Sequence, residues 1–275
     1  MAEVRKIVER ALVEDIGAGD ITSISLITAD QVLKGKFRAK AGGVIAGLEL
    51  AEAVFSLLDP KITFKPCVEE GAWIDKGKII AEVRGNGRGL LSGERVALNF
   101  LQRICGIATL TRRYVDEVMG TGAVILDTRK TVPTLRLLDK WGVRIGGGKN
   151  HRFGLDDFIL IKENHIAAVG GLQEAVGRVK RGKESLPIEV EVTNLEELKD
   201  ALAMGIDRIL LDNMTTQQMR DAVQIAAGRA VLEASGNVTL KNVREIAKTG
   251  VNFVSVGNLT HSVQALDISF TVECI

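Results

Sequence analysis

The sequence is poor in aromatic residues, poor in cysteine, and carries no excess of one charge. Aromatics make up 4% of its 275 residues, and 36 Lys and Arg balance 35 Asp and Glu for a formal net charge of +1. A nucleic-acid-binding surface usually needs a basic excess and aromatic platforms, and neither is present, nor is any lysine-rich tract. Any positive field must therefore be local, made by a few residues that converge in space. The three cysteines, Cys67, Cys105 and Cys274, are isolated and odd in number. That spacing argues against a disulfide frame or a zinc site and leads us to expect a reducing, cytoplasmic location. The longest apolar runs are strand-sized, so no membrane span is expected. The N-terminal segment is not secretory in character. Val4, Ile7, Val8, Ala11 and Leu12 fall at helical spacing with charges between them, which predicts an amphipathic helix.

What is present divides into two rhythms. Up to about Cys105 the elements are mixed: Lys34 to Lys40 alternates like a strand, and Leu48 to Leu58 reads as a helix. Ile62 to Val68 alternates again, and Gly71 and Gly77 frame a turn into a strand from Ile79 to Val83. Ser92 is a candidate N-cap for a helix carrying Ala97, Leu101, Ile104 and Ala108 on one face. Residues 1–105 are thus expected to form a small α/β layered domain.

From residue 106 to 275 the pattern is regular. Apolar runs begin near Val124, Phe158, Ile188, Arg208, Ala230 and Asn252, with helical stretches at Leu195 to Ala203, Thr216 to Ala226 and Leu240 to Lys248. Strands alternating with helices imply βαβ units and parallel pairing. A last run, Leu266 to Phe270, is either a seventh strand or a return to the first domain. No GxGxxG follows any strand, which disfavours an open dinucleotide-binding sheet. Instead nearly every strand ends in polar groups, as in a β/α barrel with its chemistry at the C-terminal mouth. With six or seven strands, an irregular barrel is expected rather than the eight-stranded form.

The candidate site residues follow from those strand ends. Thr128, Arg129 and Lys130 project from the end of the Val124 strand, and the last two pair a planar fork with a compact ammonium suited to carboxylate or phosphate. Three glycines, Gly146 to Gly148, precede Lys149, Asn150, His151 and Arg152; alone this could be a plain flexible loop with a structural histidine. Lys162 ends a run apolar enough to be buried on both faces, so its ammonium needs an anion. That anion could be Glu191 or Asp212 from neighbouring strands, a substrate, or both. Glu189 and Glu191 share a strand face, with Asp212 one strand further round. Glu191 and Asp212 could form an acid/base pair, an oxygen-ligand Mg²⁺ site, or hydroxyl clamps on a sugar. Ser235-Gly236-Asn237 and Val256-Gly257-Asn258, after the late strands, suit a phosphate cup. Arg95 falls in what reads as a first helical turn, where the macrodipole disfavours a cation unless an anion offsets it.

Taken together, EDIGAGDITS, SGERVALNFLQRICGIAT, LDTRKTVPTLR, GGGKNHR, IKENHI, EVEV, LLDN and ASGN make most of the chain resemble the quinolinate phosphoribosyltransferases, or nicotinate-nucleotide pyrophosphorylases (carboxylating). The resemblance implies an N-terminal α/β sandwich followed by an irregular α/β barrel. It implies quinolinate and phosphoribosyl pyrophosphate as substrates, Mg²⁺ as cofactor, and nicotinate mononucleotide, pyrophosphate and CO2 as products, a step of NAD biosynthesis. By the same resemblance Arg129, His151 and Arg152 match quinolinate carboxylate binders, and Lys130 and Lys162 match lysines near quinolinate and pyrophosphate. Glu191 and Asp212 match the acids at ribose and Mg²⁺, and the two late loops match the 5′-phosphate cup. Arg95 matches an arginine donated into a neighbouring subunit's site, which implies at least a homodimer. Asn237 stands where some relatives carry a second glycine.

Overall fold

The computed structural model describes residues 2–182 and 186–275. In chain order its elements are α1 (Ala2–Ile16), α2 (Ile21–Leu26), β1 (Val32–Ala39), β2 (Gly43–Val44), α3 (Leu48–Leu58), β3 (Thr63–Pro66), β4 (Trp73–Ile74) and β5 (Ile79–Asn86). There follow α4 (Gly87–Val118), β6 (Val124–Leu126), α5 (Arg136–Ile145), β7 (Ile159–Ile161), α6 (Glu163–Val169), α7 (Leu172–Arg181), β8 (Ile188–Val192) and α8 (Leu195–Ala203). The chain ends with β9 (Arg208–Asp212), α9 (Thr216–Ala226), β10 (Val231–Ser235), α10 (Val243–Ala247), β11 (Phe253–Ser255), α11 (Asn258–His261) and β12 (Ile268–Cys274). These form two compact units. The first comprises everything up to Arg112 together with Val132–Gly147 and Ser262–Ile275, and the second Arg113–Thr131 and Gly148–His261.

The first unit is built on an antiparallel sheet of order β12-β1-β5-β3. Along β1, Leu33, Gly35, Phe37 and Ala39 are buried while the intervening residues are more exposed, the period-two signature of a sheet with one wet face. On the wet face Lys34 pairs with Glu82 and Lys36 with Glu273 at 3.0 and 2.9 Å, contacts of little energetic weight at such exposure. The dry face is where the scarce aromatics are concentrated. Phe37 lies 4.6 Å from Phe270 and 6.1 Å from Phe55 between ring centroids, with Phe64 closing the cluster. Truncating one such ring costs about 3–5 kcal/mol. Gly35 is required by this packing, because a Cβ there would sit 2.1 Å from the tip of the Phe270 ring. Helices α1 and α3 contribute Val4, Val8, Leu12, Leu50, Val54 and Phe55 to the same core.

Two sequence expectations about this unit need revision. Helix α4 begins at Gly87, not Ser92, because the Asn86 side chain accepts the Gly89 N–H and does the capping. Ser92 instead donates to Asp20, the N-cap of α2, at 3.0 Å. Arg95 therefore lies well inside the helix, so the first-turn dipole argument does not apply to it. The expected division at 105/106 falls within α4, and by packing the stretch carrying α5 groups with the first unit. The last run does return: β12 pairs with β1 along its whole length, with Phe270 opposite Phe37.

The second unit is a parallel six-stranded sheet of order β6-β11-β10-β9-β8-β7, with helices in the connections. The first strand lies beside the last rather than beside the second, so the sheet curls round on itself as an irregular β/α barrel. At the seam no ladder joins β7 to β6 among the described residues. Lys149 makes a single parallel bridge with Leu126 instead, and Asp127, fully buried, accepts from the Asn150 side chain at 2.5 Å and the His151 N–H at 2.9 Å. Helices α8 and α9 match the predicted ranges, while α10 is shorter than its predicted stretch. No helix among the described residues is long and apolar enough to cross a membrane.

The three thiols differ sharply. Cys105 is buried on α4 against the Ala46 backbone, and burial pushes its pKa up to about 12, whereas Cys67 and Cys274 are exposed. A thiol so raised stays protonated and unreactive at mildly alkaline pH. A disulfide-exchange dye should therefore titrate two thiols rapidly in the native protein and the third only on unfolding, as followed by absorbance.

Candidate active site

At the C-terminal ends of the barrel strands lies a cavity of about 360 Å³. Its wall takes a residue or more from every strand: Asp127 to Lys130 after β6, Lys162 after β7, Glu191 on β8, Asp212 on β9, Glu233 and Ser235 on β10, and Ser255 on β11, with His151 and Arg152 from the seam. Parallel strands with βα connections put all these ends on one side, which is why residues spread over more than a hundred positions converge.

The cavity sets cations against acids. Burial, together with repulsion from Arg129, holds the Arg152 guanidinium below its ordinary pKa. Arg152 is held by the Phe158 carbonyl, 3.2 Å from Nη1. Lys162 Nζ donates to Glu191 Oε2 at 2.6 Å, the internal pair that its buried strand required. Lys162 also caps α6, where its N–H donates to His165 Nδ1 at 3.0 Å. Asp212 Oδ2 accepts from Asn213 Nδ2 at 2.8 Å, and Asn213 Oδ1 accepts in turn from Asn237 Nδ2 at 3.0 Å. The two acids thus each have an oxygen oriented by a protein donor.

At the floor of the cavity, where Glu233 is part of the lining, lies a group that the strand-end reading only touched. Glu189 and Glu233, both buried, share Arg208: Nε reaches Glu189 at 3.0 Å and Nη2 reaches Glu233 at 2.5 Å. His151 Nε2 lies 2.8 Å from Glu189 and 3.5 Å from Glu233. Burial would raise Glu189, but the hydrogen bond from His151 and the charge and hydrogen bond of Arg208 hold it below the usual carboxylate value. Glu233 is pushed up by burial and by Glu189. Arg208, which burial alone would depress, is raised by the two glutamates. Arg208 had no signal in the sequence beyond opening a strand; its alternation with Leu210 and Asp212 on one face of β9 could have pointed inward.

Of the predicted residues, Thr128, Arg129, Lys130, His151, Arg152, Lys162, Glu191, Asp212 and Ser235 line the cavity together. Arg95 is exposed on α4 and is not among the lining residues. In the later of the two loops some groups already have protein partners. The Val256 N–H already donates to the Leu126 carbonyl at 2.9 Å, and the Asn258 side chain bonds the Tyr114 hydroxyl. Gly257 lies against the Lys130 and His261 side chains. Gly236 (φ +95°) and Asn237 (φ +50°) adopt the left-handed region beside Asn213, just behind Ser235.

A cation-rich cavity with two oriented carboxylates, at the mouth of a β/α barrel, defines an enzyme for a multiply anionic substrate. Comparison with known proteins makes the class specific. Family models for the N-terminal and C-terminal domains of quinolinate phosphoribosyl transferase match residues 20–105 and 107–271, and the chain belongs to that family. It is 43% identical to the chloroplastic nicotinate-nucleotide pyrophosphorylase [carboxylating] of Arabidopsis thaliana, over 98% of this chain and 83% of that one. It is 43% identical to the probable nicotinate-nucleotide pyrophosphorylase [carboxylating] of Bacillus subtilis, over 98% and 93%. The crystal structure of NadC from Streptococcus pyogenes superposes with a TM-score of 0.96 at 38% identity, covering 100% of this chain and 98% of that chain.

Gly236 gives a direct test of the site's geometry. A Cβ there would fall 2.2 Å from Asn213 Oδ1 in a left-handed backbone, displacing the group that orients Asp212. Gly236→Ala should lower unfolding free energy by about 1–3 kcal/mol in urea titrations, with a matching loss of activity.

Proposed function

We propose that the chain transfers the phosphoribosyl group of phosphoribosyl pyrophosphate to quinolinate with decarboxylation, yielding nicotinate mononucleotide, pyrophosphate and CO2 for NAD biosynthesis. The observation that carries this reading is the crowding of Arg129 and Arg152, with Lys130 and Lys162, around one cavity that also holds Glu191 and Asp212. Mutually repelling guanidinium groups are stabilised when a dianion enters between them, and quinolinate carries two adjacent carboxylates.

In the mechanism we infer, Arg129, Arg152 and the His151 segment clamp the diacid, with Thr128 beside them, so that its ring nitrogen faces the anomeric carbon. That nitrogen is a weak nucleophile, and fixing it in line supplies much of the acceleration. Glu191 and Asp212 hold the ribose hydroxyls as charge develops on the sugar in an oxocarbenium-like state. Lys130 and Lys162 neutralise the departing pyrophosphate. The Ser235–Asn237 loop, with Gly257 and Asn258, receives the 5′-phosphate; the Val256 N–H, being committed, does not. Two hard carboxylate donors on neighbouring strands fit Mg²⁺, which would be held by Glu191 and Asp212 and would add positive charge at the pyrophosphate. Once the ring nitrogen is alkylated, its positive charge stabilises the carbanion left as CO2 departs, so no covalent enzyme intermediate is needed. We further infer a homodimer in which Arg95 enters the neighbouring copy's site, and a cytoplasmic location on the strength of the unpaired cysteines.

The assay combines quinolinate, phosphoribosyl pyrophosphate and Mg²⁺ and measures nicotinate mononucleotide by chromatography. Product should form, chelation of the metal should stop it, and Arg129→Ala should lower kcat/KM by about 100-fold or more. Turnover of nicotinate but not quinolinate would overturn the substrate assignment. For the shared site, Arg95→Ala and Lys162→Ala should each be inactive alone. Subunit exchange should restore about a quarter of wild-type activity, since half the dimers would be mixed and each would hold one complete site. No recovery after demonstrated exchange would exclude donation between copies.

A further inference from the structure

Arg208, Glu189 and Glu233 have no part in the chemistry derived above, yet they occupy the barrel interior directly under it. Arg208 opens β9 and sits opposite Glu189 in the β8–β9 ladder, while Glu233 projects from β10 on the other side. The guanidinium is flanked by the Phe158 and Phe253 rings, 5.3 and 4.9 Å from its carbon to the ring centroids. Two of the chain's eight phenylalanines are thus spent on the faces of one arginine. Between these rings the fork bonds two carboxylates through separate nitrogens, and a lysine could reproduce neither the ring contacts of a guanidinium nor the two-pronged bond.

What this pairing controls is the ring of His151. The Arg152 N–H donates to His151 Nδ1 at 2.8 Å, so that nitrogen must be the acceptor and carry no proton. The ring hydrogen then sits on Nε2 and points at Glu189, 2.8 Å away. This arrangement needs Glu189 to remain an oriented acceptor, and Arg208 is what orients it while offsetting the repulsion between Glu189 and Glu233.

We propose that Arg208 is a positioning residue. By fixing Glu189 and Glu233 it locks His151 as the Nε2–H tautomer, and through Nδ1 it sets the backbone of Arg152 at the diacid clamp. The effect on catalysis rests on the reaction assigned above; the effect on the tautomer does not. Residues that hold the clamp in place act on substrate capture rather than on the leaving group, so their loss should separate KM for one substrate from KM for the other.

The test uses the whole ¹⁵N-labelled protein at a pH where imidazoles are neutral. Only three histidines are present, and His151→Gln assigns the signals of interest. In the wild type, His151 should show a protonated Nε2 and a bare Nδ1. Arg208→Lys and Arg208→Met should shift it to a mixture of tautomers. The KM for quinolinate should rise about tenfold or more, with KM for phosphoribosyl pyrophosphate and kcat moving by less than about threefold. If either variant does not fold, Glu233→Gln, which keeps the shape and removes one charge, should produce part of the same shift. A wild-type ring protonated at Nδ1 would overturn the proposal, as would folded Arg208 variants that keep both the Nε2–H tautomer and the quinolinate KM. If the wild type does not turn over quinolinate, the assigned reaction fails and the tautomer measurement alone decides the role of Arg208.

Discussion

The catalytic unit depends on holding positive charges closer together, and drier, than they would choose to be. Burial and Arg129 both act against the charge on Arg152, and two lysines share the same cavity. In water such a group would spread apart; here each cation is fixed by an element that cannot move without unpicking the barrel. Arg129 and Lys130 follow β6 after Asp127 and Thr128 alone, Arg152 is tied to the Phe158 carbonyl, and Lys162 joins the end of β7 to α6 as the helix cap. Electrostatic discomfort in the empty protein becomes binding energy for an anion that relieves it.

Acids serve that arrangement in two layers. Those at the mouth, Glu191 and Asp212, are oriented by Lys162 and Asn213 and line the cavity. Those below, Glu189 and Glu233, are paired with Arg208 and the His151 ring. Alternate residues of one strand are thereby used differently: Glu191 lines the cavity, and Glu189 is paired with Arg208 and the His151 ring. Asp127 adds the seam, where a missing ladder between β7 and β6 is replaced by bonds to Asn150 and His151.

Much of this was legible before any coordinates. Period-two alternation fixed β1, helical spacing fixed α3, α8 and α9, and polar strand ends marked Lys162, Glu191 and Asp212, because each of these signals is local in sequence. What stayed hidden depends on contacts between distant segments. The Ser92 start for α4 was wrong because Asn86 outcompetes it as a cap. The membership of α5 in the first unit cannot be read from a helical pattern, which is the same on either side of a boundary. Val256 was an attractive donor until the Leu126 carbonyl, on a strand more than a hundred residues earlier, proved to occupy it. Arg208 opens its strand like any charged residue, and only the closing of the sheet turns it inward.

The return of β12 to β1 makes the first unit discontinuous, with the second inserted in its middle. During synthesis the Phe37 ring and the gap over Gly35 exist long before Phe270 emerges to fill them. The unit begun first is therefore completed only after the second: its sheet carries an open edge at β1 until β12 has been made, while the barrel can already close. A chain lacking β12 would keep every cavity residue and lose Phe270 from the core of the first unit. Such a product would present the unpaired edge of β1 to other nascent copies, which makes β12 a folding checkpoint as much as a structural element.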